Sequence, residues 1–407
     1  MDEDRINRID SDFLSALLFV LESHGLEEWP VYIVGGWVRD KLLGNPSNDV
    51  DLIINHRIFD HVAKELCDNM NFVDLKFESI IFKKLDIGQC KGLRSCNIKY
   101  KHEENSYVID LREIKDNSSI EDDIKTRDFT INSLYFDTQT FEIIGRKQAF
   151  DDIDRKVLRT VQEPRITFED ERRLFRLIRM TGLEGFTVAE ELQKYVKNVS
   201  KTQLKQRLKN NLSRMTAGEF GKIVKRKNSS KAVKFILETD FFKFFTRLDP
   251  HKESAYNIER EFQFIKQSFI KSIPLLDMIE KLVSIEWFCK ALKKQFKEDI
   301  NFSLRRMKTT ALGLELFKED VKYNFKSLLL DFKIKENVID EIYITLDEIE
   351  KKERNCSSFK EFQRYCLKEM KNEEKHLIPF LSYIDCCMGR DLAFNDIQDS
   401  LRLRFIE

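Results

Sequence analysis

Val31-Tyr-Ile-Val-Gly35-Gly36-Trp-Val-Arg39-Asp40-Lys-Leu-Leu-Gly44, followed by Asn48-Asp49-Val50-Asp51-Leu-Ile-Ile54, decides how this chain is read. A β-branched and aromatic run ends in a glycine pair. A short helical pattern follows over 36–43, and a second strand returns carrying two aspartates. Side chains alternate across a strand, so Asp49 and Asp51 share a face. Two adjacent carboxylates repel each other, and a hard cation such as Mg²⁺, which takes oxygen ligands, relieves that repulsion. The glycine turn opens backbone N–H groups at a helix start, where phosphate docks. Gly35, Gly36 and Arg39 are therefore candidate nucleotide contacts. A phosphate cradle beside paired acids points to metal-assisted phosphoryl or nucleotidyl transfer. Each half alone occurs in ordinary turns and loops; the combined order carries the specificity.

Outward from this stretch, strands are expected at 31–34, 49–54, 79–87, 106–112 and near 133–144, with helices at 12–25, 36–43 and 57–70. That mixture makes an α+β unit of roughly the first 150 residues. Gly88–His102 is polar, basic and glycine-containing, and reads as a mobile loop beside the site. From about 166 onward helix follows helix. Leu174, Leu177, Ile178 and Thr181 form the first apolar stripe, and Asn228-Ser-Ser230 and Asp249-Pro250 mark breaks. With 13 Gly and 6 Pro in 407 residues, the chain has few turn formers, which suits a mostly helical protein.

Charge is balanced at 70 basic and 70 acidic residues, so net charge selects no partner. A nucleic-acid surface would have to come from uneven distribution. The window 201–235 carries Lys201, Lys205, Arg207, Lys209, Arg214, Lys222, Lys225, Arg226, Lys227, Lys231 and Lys234 against Glu219 alone; residues 290–308 are also basic. Such a window reads either as a solvated helical face or as a surface that tracks phosphates. The 8 cysteines show no metal-ligand spacing and read as reduced thiols. Met1-Asp-Glu-Asp-Arg5 has neither the basic and apolar regions of a secretory signal nor the acid-poor character of a mitochondrial presequence. No apolar run is long enough to span a membrane. The expectation is a cytoplasmic or nuclear protein without a membrane, and a monomer.

Two further constellations follow. Lys125-Thr-Arg127-Asp128-Phe-Thr-Ile-Asn132 can bind a nucleotide, Arg127 through phosphate oxygens and Asp128 with Asn132 through ribose hydroxyls. It can equally be a helix surface with an i,i+4 pair. Thr167-Phe-Glu169-Asp170-Glu-Arg172-Arg173-Leu-Phe-Arg176 reads as a capping box from Thr167 to Asp170 with a Glu169–Arg173 ion pair. Asp170 and Arg173, at i and i+3, also share a helix face and offer an acceptor beside donors. Cytosine and adenine present the complementary donor and acceptor; uracil and guanine invert it and leave polar groups unpaired.

In this order the three constellations resemble the class II tRNA nucleotidyltransferases, the family of CCA-adding enzymes and related bacterial poly(A) polymerases. Gly35–Gly44 with Asn48–Leu52 resembles the metal-binding motif, Thr126–Asn132 the ribose-binding motif, Phe150–Arg159 the flexible motif between head and neck, and Glu169–Arg173 the nucleotide selector. The resemblance covers residues 30–185. It implies a polymerase-β-like head with a mixed sheet, then a helical neck, body and tail, divided as 1–150, 151–205, 206–290 and 291–407. It implies that Asp49 and Asp51 hold Mg²⁺ and that Arg127, Asp128 and Asn132 contact triphosphate and sugar. Asp170 and Arg173, with Arg176 nearby, would contact the incoming CTP or ATP, and the tRNA acceptor arm would lie along the basic helices. Thr126 stands where the family's first arginine is usual, and Glu171 where a proline is. The third carboxylate, usually several residues ahead of a Leu-Arg pair, is here Asp110, immediately before Leu111-Arg112. The implied activity is addition of C, C and A to a tRNA 3′ end. Alternatives are an enzyme adding only A or only CC, a non-catalytic RNA-binding module, and a helical scaffold with a structural metal.

Overall fold

Strand β1 (Val31–Val34) forms from four residues of high strand propensity and pairs antiparallel with β2 (Asp49–Asn55). Between them Gly35, at φ 74°, turns the chain into helix α2 (Gly36–Leu42). Gly44 takes the left-handed conformation, and the N–H groups of Gly44 and Asn45 return to the carbonyls of Lys41 and Asp40 at 2.9 and 2.8 Å. That is a Schellman stop, and it frees the chain to re-enter the sheet. The computed structural model describes residues 12–69 except 46, 88–90, 93–102, 105–114, 119–202 except 171, 222–223, 228–245, 254–290 except 287, 307–308, 311, 344, 347–349, 351–369, 384 and 394–406.

Contacts divide the chain into two units, Met1–Glu169 with Thr187–Leu192, and Asp170–Phe186 with Gln193–Glu407. In the first, helices α1 (Asp12–Ser23) and α3 (Phe59–Asn69) pack together beside a mixed sheet. Strands β3 (Gly88–Cys90), β4 (Leu93–His102), β5 (Asn105–Ile114), β6 (Tyr135–Asp137) and β7 (Ile143–Ile144) complete the order β3-β4-β5-β2-β1-β6-β7. β2 and β5 run parallel; the other described pairings in this sheet are antiparallel. Helix α4 (Ile120–Thr126) packs onto the sheet through Ile124, in a cluster with Val34, Ile53 and Tyr135. Its start is fixed by a capping box between Ser119 and Asp122.

The expected loop at Gly88–His102 is corrected: its described residues form β3 and β4, and β4 pairs with β5 along most of its length. The alternation Cys96-Asn97-Ile98-Lys99-Tyr100-Lys101 has the period of a strand, and it outweighs the basic, glycine-containing composition. The strand expected at 79–87 lies outside the described residues.

After the sheet come α5 (Lys147–Asp154), β8 (Val157–Leu158), α6 (Pro164–Thr167), α7 (Arg172–Thr181), β9 (Thr187–Val188) and α8 (Glu190–Thr202). The stripe Leu174, Leu177, Ile178 and Thr181 is buried, as its spacing requires. In the second unit, α9 (Ser229–Glu238) packs on α7 and on α10 (Ala255–Val283). Phe175 and Phe241 meet edge to face at 5.2 Å. Helices α11 (Phe359–Glu369) and α12 (Phe394–Ile406) are described nearer the C-terminus. The break at Asn228-Ser-Ser230 starts α9, whereas Asp249-Pro250 and most of the basic windows lie outside the described residues. No helix among the described residues is long and apolar enough to cross a membrane.

Candidate active site

Strand alternation puts Val50, Leu52 and Ile54 into the core and turns Asp49 and Asp51 to the opposite face, Asp49 exposed and Asp51 half-buried. Register then builds a row across the sheet: Tyr135 pairs with Val34, Val34 with Asp51, and Asp51 with Asp110. Paired residues share a face, so Asp49, Asp51 and Asp110 all stand on the side covered by α4. The burial of Asp51 raises its pKa, and the charges of Asp110 and Asp49 push the same way. Arg127 and Arg112 oppose them.

The glycine turn closes onto this carboxylate. A Cβ on Gly35 would meet Asp51 Oδ2 at 3.1 Å, Arg127 Nη1 at 3.6 Å and the Asn132 carbonyl at 4.0 Å. Only a glycine leaves that volume open, and its φ of 74° already favours one. Gly36 follows at the first position of α2, where a Cβ would meet Arg39 Nη2 at 3.6 Å.

Arg127 caps the C-terminus of α4 and is largely buried. Its Nε and Nη2 donate to Asp123 Oδ2 at 2.9 and 2.8 Å, and Nε also donates to the Tyr135 hydroxyl at 3.0 Å. Tyr135 donates in turn to Asp123, and Arg112 Nη2 reaches Asp123 Oδ1 at 3.1 Å. Burial works against the Arg127 charge, but Tyr135 and Asp123 more than offset it and raise the pKa. Burial likewise opposes the Asp123 charge, yet Arg127 and Arg112 hold that carboxyl below its ordinary range.

A second chain of bonds fixes the opposite side. Arg39 is buried, pairs with Asp40 at 2.7 Å and donates from Nη1 to Asn132 Oδ1 at 2.5 Å. Asn132 Nδ2 donates to Asp128 Oδ1 at 3.1 Å, which also accepts the Phe129 N–H at 2.8 Å. Asp128 is buried, Phe129 is extended, and Thr130–Asn132 is one 3₁₀ turn, so the plain α-helix surface reading of this motif is set aside. Gly35, Gly36, Arg39, Asp49, Asp51, Asp110, Arg127, Asp128 and Asn132 all belong to the first unit.

Asp170, Arg173 and Arg176 belong to the second unit. Here the expected geometry is corrected. α7 begins at Arg172, so Asp170 precedes the helix and does not share a helical face with Arg173. The Asp170 carboxylate accepts the Arg172 N–H at 3.2 Å and its guanidinium at 2.9 and 2.8 Å; those bonds, before the Arg172 and Arg173 charges, lower its pKa. Arg173 is half-buried and Arg176 exposed. Thr167 lies at the end of α6 and not at the start of α7, and its hydroxyl donates to the Gln162 carbonyl at 3.5 Å. The Asp170 carboxylate, two positions ahead of Arg172, takes an open N–H group at the start of α7.

Sequence reasoning passed over Asp123 and Tyr135, and named Arg112 only as the landmark beside Asp110. The i,i+4 spacing of Asp123 and Arg127 was a usable signal. Tyr135 gave none, because strand pairing alone brings it to the site.

Among the described residues no three His, Cys, Asp or Glu side chains form a ready metal cluster. The donors that do share the face are carboxylate oxygens, the type Mg²⁺ takes, and Mg²⁺ commonly completes its shell with water and substrate phosphates. The residues therefore fit such an ion.

Residues 31–159 match the poly A polymerase head domain. The chain is 28% identical over 243 residues to the tRNA nucleotidyltransferase cca2 of Schizosaccharomyces pombe, covering 55% of this chain and 49% of that protein. It is 30% identical over 190 residues to a CCA-adding enzyme of Streptococcus gordonii, covering 46% and 45%. The chain thus spans about half the length of the curated relatives it matches. The fold is shared with the Bacillus stearothermophilus CCA-adding enzyme solved in complex with CTP, at a TM-score of 0.58 and 20% identity, over 97% of this chain and 82% of that one. A polymerase-β-like head with a mixed sheet, followed in sequence by helices, is the architecture.

Proposed function

We propose that this chain, whose residues 31–159 match the poly A polymerase head domain, adds C, C and A to tRNA 3′ ends from CTP and ATP and releases pyrophosphate. The observation that carries the reading is the convergence of Asp51 and Arg127 on the Gly35 turn, a carboxylate and a guanidinium around a space that a Cβ would fill. A triphosphate fits there, with Arg127 on its oxygens and the Gly35-Gly36 backbone alongside. The 3′-hydroxyl oxygen of the primer attacks the α-phosphorus, the bond to pyrophosphate breaks, and the hydroxyl proton leaves to solvent or to a carboxylate. Asp49 and Asp51 would hold Mg²⁺, with Asp110 as the third carboxylate. When bound, the ion would supply charge that acidifies the 3′-hydroxyl and neutralises the leaving pyrophosphate. Asp128 and Asn132, locked together and to Arg39, orient the ribose. Asp170 and Arg173, with Arg176 beside them, select C and A, which requires Asp170 to exchange Arg172 for the base.

The reading divides the chain into head (1–150), neck (151–205), body (206–290) and tail (291–407), with the acceptor arm along the basic helices. Cytoplasm or nucleus is the compartment this reading takes, in keeping with 8 scattered cysteines that lack a metal-ligand spacing.

The test is incubation with tRNA that ends before CCA, Mg²⁺ and each nucleoside triphosphate singly and together, followed by 3′-end sequencing. CTP alone should give CC, and CTP with ATP should give CCA; Asp49→Ala and Asp51→Ala should give nearly nothing. No addition by the wild type, or near-normal addition by either variant, overturns the reading. A-only or CC-only products select the narrower alternatives.

A further inference from the structure

We propose that Asp123 and Tyr135 are positioning residues for Arg127: they grip one edge of its guanidinium and leave Nη1 for the triphosphate. This rests on the functional reading above and adds residues that the sequence motifs did not single out.

Three observations carry it. First, the bonds are one-sided. Nε and Nη2 of Arg127 are taken by Asp123 and Tyr135, while Nη1 has no hydrogen-bond partner among the described residues and lies 3.6 Å from where a Gly35 Cβ would stand. Second, the Tyr135 hydroxyl is a relay. It accepts from Arg127 Nε and donates to Asp123, and burial raises its pKa, so it stays a neutral phenol able to do both. Its ring also lies 5.2 Å from the guanidinium carbon, which adds a cation–π contact. Third, the holders sit on rigid elements. Tyr135 is buried on β6, paired with Val34, which pairs with Asp51; Asp123 is on the capped helix α4. The path from Asp51 to the guanidinium therefore runs through strand register and not through a loop. Arg112, on the Asp51 face of β5, supplies Asp123 with a second cation, so the carboxylate is held from both sides.

An arginine has many rotamers, and fixing one before the ligand arrives removes an ordering cost from binding. Loosening the grip should weaken the triphosphate contact without touching base recognition.

The experiment measures binding of CTP, ATP and inorganic tripolyphosphate in Mg²⁺ buffer by calorimetry, with tRNA affinity and thermal unfolding alongside. Tyr135→Phe keeps the ring and removes the hydroxyl. It should raise the dissociation constants of all three phosphate ligands about three- to tenfold, the worth of one hydrogen bond, and leave tRNA affinity unchanged. Asp123→Asn should weaken them more, because it removes a charged acceptor. In an Arg127→Lys background Tyr135→Phe should add nothing further. Wild-type-like binding of tripolyphosphate by both variants, or losses that add to those of Arg127→Lys, overturns the proposal. If Tyr135→Phe does not fold, Asp123→Asn decides by the same criteria. A wild type that binds triphosphates in this pattern but extends no tRNA sinks the functional reading and leaves the positioning role standing. A wild type that binds no triphosphate sinks both.

Discussion

Asp110 stands directly opposite Asp51 on neighbouring parallel strands, on the same face of the sheet. This pairing brings the aspartate just ahead of Leu111-Arg112, the expected third carboxylate on a shifted register, beside the Asp49–Asp51 pair. Asp110→Asn should lower apparent Mg²⁺ affinity or turnover by about 10- to 100-fold, the range for a residue that supports a metal ligand. Mg²⁺ titration of CTP incorporation measures it, and an unchanged titration would remove Asp110 from the site.

Gly35 and Gly44 both have positive φ, 74° and 72°, but only at Gly35 would an added Cβ meet other atoms within 4 Å. Gly35→Ala should abolish most incorporation and also cost about 1–3 kcal/mol of stability through backbone strain. Gly44→Ala should cost about 1–2 kcal/mol for its left-handed conformation and leave turnover nearly intact. Paired denaturant unfolding and single-turnover assays separate strain from site obstruction.

Arg172 and Arg173 are adjacent, yet the structure gives them different relations to Asp170. Arg173→Ala should raise UTP misincorporation relative to CTP and ATP. Arg172→Ala should keep discrimination, because it removes only the residue that occupies Asp170 before a base arrives. Equal UTP rates in wild type and Arg173→Ala would exclude the base-reading role.

The pKa of Asp123 is lower in the folded chain than its ordinary 3.8, so its ion pairs stabilise the fold above pH 3.8 and lose that contribution as pH falls through the folded value. Asp123→Asn should therefore be less stable than wild type at pH 7, with the gap closing below about pH 4. Thermal unfolding across pH 3–7 checks the sign; a constant gap would contradict it.

Glu280 is a half-buried hub of the second unit. Its carboxylate accepts from Lys308 at 3.0 Å and from the Ser229 and Ser230 hydroxyls at 2.6 and 3.1 Å. Burial pulls the Lys308 pKa down, and Glu280 opposes that pull. Glu280→Ala removes the charged acceptor shared by a buried lysine and two serines and should cost about 3–5 kcal/mol. Lys308→Met leaves Glu280 its serine partners and should cost less. Chemical denaturation of the two variants ranks them, and the reverse order would refute the assignment.

The sequence by itself determined the strand–glycine–helix–strand start, the shared face of Asp49 and Asp51 and the buried stripe of α7. Each depends on a local period, two for a strand and 3.6 for a helix, or on a local turn. Tertiary structure decided the rest. It made β3 and β4 from a stretch whose composition reads as loop, set Asp110 against Asp51, brought Tyr135 under Arg127, and gave Asp170 to Arg172. The physical reason for the sheet contacts is register: a shift of one residue turns every side chain of a strand to the other face, and only pairing between distant segments fixes it. For Asp170 the reason is where α7 starts, because a carboxylate just outside the first turn meets the open N–H groups there and the nearest guanidinium.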